Sequence, residues 1–140
     1  MSHQSAPRRV LPLIDGDNRT FWTGGEHGRL TIYRCGECGY YVHPPVPFCP
    51  KCESRKVAPE PVSGRARVFS FTVNHKAWLP GLEEPYVLAL VTLAEQDDVR
   101  LVTNIVGCPP DGVTFDMEVE VVFEPAEDLW VPLFRPVKAP

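Results

Sequence analysis

Cys35-Gly36-Glu37-Cys38-Gly39, then the remainder of a ten-residue spacer, then Cys49-Pro50-Lys51-Cys52, is the stretch on which the reading of the fold turns. Each CxxC unit forms a tight knuckle with both sulfurs on one side and backbone N–H groups turned towards them. Gly36 and Gly39 are expected to supply the unusual backbone angles of such a turn. Two opposed knuckles complete a tetrahedron of sulfur, which suits one Zn²⁺ on Cys35, Cys38, Cys49 and Cys52. With four protein ligands no coordination position stays open, so the ion is expected to be structural. A redox pair needs one CxxC in a βαβ setting, which this chain does not offer. An iron–sulfur site is the other metal alternative, with nothing around it built for electron transfer. Eighteen residues (35–52) holding Pro44, Pro45, Pro47 and Pro50 cannot bury enough surface to fold without the ion.

N-terminal to the knuckles, residues 29–34 alternate apolar and polar and predict a strand entering the first pair. Residues 40–43 predict a second short strand. Residues 15–28 allow one short helix, capped by Asp15 or Asp17, with Phe21 and Trp22 on its apolar side and Gly24, Gly25 and Gly28 ending it. Residues 1–14 read as a loose arm. On the C-terminal side the pattern changes at residue 62 to strands separated by turns: 66–73, 86–93, 100–106 and 117–124, with an edge strand at 131–134. The acidic turn 94–99 makes the second and third of these a hairpin. The expected architecture is mainly β: an N-terminal arm and helix (1–30), a zinc ribbon (31–61) and a five-stranded OB-fold barrel (62–140). A small sandwich is the alternative for the last part.

The composition narrows the function. Net charge is −4 and the pI about 5.5, and Lys76 and Arg100 are the only Lys or Arg between residues 68 and 134. That disfavours binding to a phosphate backbone. No apolar run approaches the roughly 20 residues of a membrane span. The N-terminus lacks a signal h-region, and the paired cysteines suit a reducing compartment, so a cytoplasmic location is expected.

The remaining chemistry is sparse. Cys108 reads as a loop thiol with no activating histidine to hand. His43, inside the zinc loop, is a spare ligand or a packing residue. His75 follows a strand where a groove could open, and a ligand contact is one reading of it. Glu83, Glu84, Glu95, Asp97, Asp98, Glu124, Glu127 and Asp128 read as solvated turn residues. Of Phe69, Phe71 and Phe123, a core role is expected for at least two, although all three could stack bases. No GxSxG, P-loop or GxGxxG motif occurs.

The order of short motifs is more specific than any one of them. Phe21-Trp22 leads to Gly28-Arg29-Leu30, then Arg34-Cys35-x-x-Cys38-Gly39, Pro44-Pro45 and Cys49-Pro50-x-Cys52. Val62-Ser63-Gly64-Arg65, Val68-Phe69-Ser70-Phe71-Thr72-Val73, Pro85-Tyr86-Val87-Leu88-Ala89-Leu90-Val91 and Phe134-Arg135-Pro136 follow. From about residue 13 to residue 136 the chain resembles the DUF35 family, small proteins with N-terminal helices, a rubredoxin-like zinc ribbon and an OB fold. The resemblance implies a non-catalytic accessory subunit that binds acyl-CoA by its pantetheine arm and docks onto a thiolase-superfamily enzyme or a MaoC-like enoyl-CoA hydratase. Relatives serve steroid side-chain degradation with a thiolase-fold aldolase, or archaeal isoprenoid synthesis. Val46 stands where the family often has a basic residue, which weakens a grip on a CoA phosphate by the zinc loop. Asp116 stands where it often has glycine, which suggests a different turn. A thin neutral pantetheine arm wants a narrow apolar groove with a few hydrogen bonds. From the fold, Phe69, Phe71, Thr72, Asn74, His75 and Asn104 are the candidate contacts. A homodimer within a hetero-oligomer would use the N-terminal helix or a barrel edge. A single-stranded nucleic-acid module stays open as the alternative function.

Overall fold

The computed structural model describes residues 10–76 and 85–137. His3, Glu83, Glu84 and most of the expected arm lie outside these residues. Among the described residues, a short helix α1 (Arg19–Thr23) and a 3-10 turn (Gly24–His27) precede two antiparallel sheets. The first sheet has the order β2-β1-β3, from β1 (Leu30–Cys35), β2 (Tyr41–Val42) and β3 (Val57–Val62). The second has the order β6-β5-β4-β7-β8, from β4 (Arg65–Asn74), β5 (Tyr86–Leu93), β6 (Arg100–Asn104), β7 (Glu118–Ala126) and β8 (Leu129–Pro136).

Strand β3 is absent from the sequence expectation because Val57-Ala58-Pro59-Glu60-Pro61-Val62 carries two prolines. Its register shows why they are tolerated. The Gly36 N–H donates to the Lys56 carbonyl at 2.7 Å, and pairing runs on through Arg34↔Ala58, Ile32↔Glu60 and Leu30↔Val62. Hydrogen-bonded pairs in an antiparallel ladder alternate. Pro59 and Pro61 therefore fall at the positions whose missing N–H faces the free edge.

In the second sheet β4 is long because it serves two partners. Arg65–Arg67 pair with β7, while the strand pairs with β5 throughout, interrupted by a bulge between Val68 and Ser70. The bulge bends β4 and lets the sheet curl. Closure comes where Ile105 bridges Phe134 in parallel and the Val106 N–H donates to the Phe134 carbonyl at 2.8 Å. The expected final edge strand at 131–134 is thus a full strand, paired with β7 from Ala126↔Leu129 to Val119↔Pro136. Asp116 itself takes φ 63°, the left-handed region that favours glycine, so no different turn is needed to explain it.

One core joins the two sheets. Leu30 and Ile32 of β1 are 1% exposed and cluster with Val68, Val91, Val119 and Phe134 of the barrel. Burying two such side chains contributes about 3–6 kcal/mol in total. The N-terminal segment packs on the same body through Gly25, which is buried against the side chains of Phe123 and Trp130. The helix cap is Asn18 rather than Asp15 or Asp17. Asp15 acts one step earlier, its Oδ1 accepting the N–H groups of Asp17 and Asn18, each at 2.9 Å.

A Cβ on Gly25 would lie 2.5 Å from the Trp130 Cβ and 2.6 Å from a Phe123 ring carbon. Gly25→Ala is therefore expected to lower stability by about 1–3 kcal/mol, read as a drop in Tm, while Gly16→Ala, with open space around it, is expected to change little.

Candidate metal centre and neighbouring surfaces

The knuckles close as their sequence requires. The Gly39 N–H donates to the Cys35 carbonyl at 3.0 Å, and the Glu53 N–H to the Cys49 carbonyl at 2.8 Å. Gly39 (φ 80°) and Glu53 (φ 66°) hold equivalent left-handed positions just after each pair. Gly36, expected to do the same, does not adopt positive φ. It instead lets the Lys56 carbonyl approach, 3.3 Å from where a Cβ would stand.

The four sulfurs lie within 4.8 Å of one another, with Cys35–Cys52 and Cys38–Cys49 each 3.5 Å apart. Zn–S bonds of about 2.3 Å would put tetrahedral sulfurs about 3.8 Å apart, so the donor set fits that ion. Backbone N–H groups already point at sulfur: Glu37 and Cys38 to Cys35, and Lys51 to Cys49, all at 3.4 Å. The Cys38 and Glu37 amides pull the Cys35 thiol down to about 6, which favours the thiolate a metal needs. Bound there, zinc would supply charge neutralisation and a crosslink.

The ribbon is clasped to the barrel by the turn that the sequence marked as solvated. The Tyr40 hydroxyl donates to Asp98 Oδ2 at 2.6 Å, and Gln96 bonds both ways with the backbone of Tyr41, at 2.8 and 2.9 Å. The Ser63 N–H donates to Glu95 Oε2 at 2.8 Å. The Tyr40 hydrogen bond, helped by Gln96 and by the charge of Lys51, holds the Asp98 carboxyl below the usual range. The acidic residues of 94–99 signalled a turn; only the docked ribbon shows that two of its carboxylates have fixed partners.

The other candidates separate. The His43 ring stacks on Phe21 at 5.2 Å and is held neutral by burial, a packing residue rather than a fifth ligand. Cys108 packs against the core, and burial raises its thiol, with Asp111 adding to the shift. Phe71 and Phe123 are half-buried on the core, whereas Phe69 is 52% exposed with the Arg100 guanidinium 4.0 Å above its ring. The register Thr72↔Leu88↔Asn104 sets Thr72 and Asn104 in one row across β4, β5 and β6. Phe71 is out of phase with that row and meets Phe115 at 5.0 Å. His75 is exposed beyond the end of β4.

None of the six candidate ligand contacts lines a cleft of about 550 Å³ between α1, the ribbon and β6. Its walls are Phe21, Trp22, His43 and Pro45 on one side and Arg100 and Val102 on the other. Asp15 and Asp17 stand on its rim, and burial together with these two charges raises the Tyr33 phenol. Periodicity could not reveal this cleft, because its walls come from three segments far apart in sequence.

Two family models match consecutive parts of the chain. Residues 22–58 match the family described as "ChsH2, rubredoxin-like zinc ribbon domain", and residues 59–124 match "ChsH2, C-terminal OB-fold domain". A solved chain of the "Ltp2-ChsH2(DUF35) aldolase" superposes with a TM-score of 0.80 at 39% identity, covering 90% of this chain and 98% of that one. The chain belongs to the DUF35 family. A DUF35 domain-containing scaffold protein of Methanocaldococcus jannaschii is 36% identical over 92 residues, 64% of each chain. A Thermomonospora curvata protein named "Probable enoyl-CoA hydratase alpha subunit" is 40% identical over 129 residues, 91% of this chain. The present chain spans only 40% of that relative's length. Among the described residues, no helix is long and apolar enough to cross a membrane.

Two outcomes are expected from this centre. Metal analysis should find one zinc per chain, and Cys38→Ser or strong chelation should strip amide-exchange protection from residues 35–56. The Asp98 contact is present above the ordinary carboxylate range and is lost as pH falls through its lowered pKa. An NMR titration should place the Asp98 midpoint below that of a free aspartate, and Tyr40→Phe should move it back up.

Proposed function

We propose that this chain is a cytoplasmic, non-catalytic accessory subunit that docks onto a thiolase-superfamily enzyme or a MaoC-like hydratase and helps hold its acyl-CoA by the pantetheine arm. The observation that carries this reading is the match over 98% of the DUF35 chain in a structure named as an aldolase with Ltp2. The scaffold name borne by another relative points the same way. Partners of this class act on CoA thioesters, as in steroid side-chain degradation. The zinc ion, on Cys35, Cys38, Cys49 and Cys52, shapes the ribbon and takes no part in turnover.

The outer face of β4, β5 and β6 is where the arm would lie. Leu88 and Val102 are 41% and 72% exposed there, Phe69 lies beside Arg100, and Thr72 and Asn104 flank Leu88. That is an apolar strip with scattered polar groups, suited to a thin chain of amides and methylenes. Asn74 at the end of β4 and His75 just beyond it continue the strip; Phe71 contributes together with Phe115.

Expression with the native neighbouring genes should give a stable complex by native mass spectrometry. The partner's activity on its CoA thioester should fall by about tenfold or more without this chain, and Leu88→Asp should raise the partner's KM for CoA thioester while the complex persists. A chain that stays free of any such enzyme, and shows no CoA thioester binding with it present, would refute the reading.

A further inference from the structure

We propose that the cleft between α1, the ribbon and β6 receives an extended, basic and apolar segment of a partner polypeptide, which pairs with the free edge of β6. This goes beyond the acyl-CoA reading and does not depend on it.

The edge follows from the ladder. The Leu93 N–H donates to the Val99 carbonyl at 3.0 Å, and the register continues as Thr92↔Arg100, Val91↔Leu101 and Leu90↔Val102. Hydrogen-bonded pairs alternate, so Leu101 and Thr103 bond to β5, while the N–H and C=O of Arg100 and Val102 point away from it. Strand β8 meets β6 at Ile105, beyond this stretch. Among the described residues, no strand covers the edge at 100–102.

On the opposite side of the cleft one backbone position of β1, Thr31, lacks a ladder partner on its β2 side among the described residues. Leu30, Ile32 and Arg34 bond to β3, so the backbone of Thr31 and Tyr33 turns the other way. Strand β2 meets Tyr33 and Arg34 and then enters Pro44-Pro45, which has no N–H to offer Thr31. Thr31 lines this cleft, and its hydroxyl is buried without a hydrogen-bond partner among the described residues. An orphaned buried hydroxyl costs about 1–3 kcal/mol, and an incoming backbone would relieve it.

The side-chain chemistry selects the occupant. The stacked Phe21 and His43 rings and Pro45 form an apolar wall, facing the exposed Val102. Asp15 and Asp17 hold negative charge at the mouth, while the Arg100 guanidinium is drawn away onto Phe69. That mouth favours Lys or Arg and repels the phosphates of CoA. The β6 edge, with its alternate donors and acceptors at Arg100 and Val102, and the position Thr31 across from it, unpaired on its β2 side, fit polypeptide backbone, the strand-addition mode of recognition.

Fluorescence anisotropy with a fluorescein-labelled hexapeptide of alternating valine and arginine tests this on the full zinc-loaded chain. Saturable binding is expected, weaker by about tenfold or more for the valine–glutamate peptide. Val102→Pro deletes an edge N–H but no bond to β5, and should weaken binding by about tenfold or more. Asp15→Asn with Asp17→Asn should erase most of the preference for arginine. N-methylation of alternate peptide residues should abolish binding to the unaltered protein, a readout that holds even where Val102→Pro disturbs folding. Absence of saturable binding overturns the proposal, as does binding insensitive to peptide N-methylation. Binding that emerges only after removal of residues 1–9, or a concentration-dependent dimer that excludes the peptide, assigns the cleft to the chain's own arm or to a second copy and equally overturns it.

Discussion

Four thiolates within 4.8 Å of each other repel strongly unless a cation sits among them, and that constraint organises the N-terminal half of this protein. The ribbon has no core of its own. Its knuckles are held by sulfur at one end of β1, where Cys35 is buried, and by the barrel at the other, where Leu30 and Ile32 enter the shared core. Strand β1 is thus tied at both ends, and the proline-bearing strand β3 can lie along it as an edge. The polar clasp lies at exposed positions where water competes for the same groups, so the apolar burial is the firmer of the two ties.

The clasp has another role. Tyr40, Gln96 and Asp98 set the rotation of the ribbon on the barrel, because Gln96 answers the backbone of one residue, Tyr41, in both directions. Once the ribbon is set, its sheet and the barrel sheet stay separate, and the β6 edge faces Thr31 across the gap between them. Helix α1, pinned by Gly25 against Phe123 and Trp130, closes the third side. The cleft is a consequence of two sheets meeting without merging.

Two surfaces of different chemistry result. The outer face of β4, β5 and β6 is apolar with scattered polar groups and the Arg100 guanidinium, whereas the cleft carries carboxylates at its rim. The name scaffold protein is borne by a relative, and the features of this molecule are surfaces and a candidate structural metal centre. The chain also matches part of a much longer relative.

The ribbon, the helix position and the barrel strands were legible from residue order, because CxxC spacing and alternation of apolar residues are local signals. The strand Val57–Val62 was not, since two prolines veto a strand unless a neighbour fixes which edge they face. Glu95 and Asp98 looked like solvated turn residues because a carboxylate's partner 32 or 58 residues away leaves no trace in local composition. Glu53, Gly25 and Thr31 likewise became informative only through φ, a close approach and a buried hydroxyl. Sequence by itself determined the metal centre and the two kinds of sheet. Tertiary structure alone decided how the sheets face one another, because docking depends on contacts between segments that no periodicity connects.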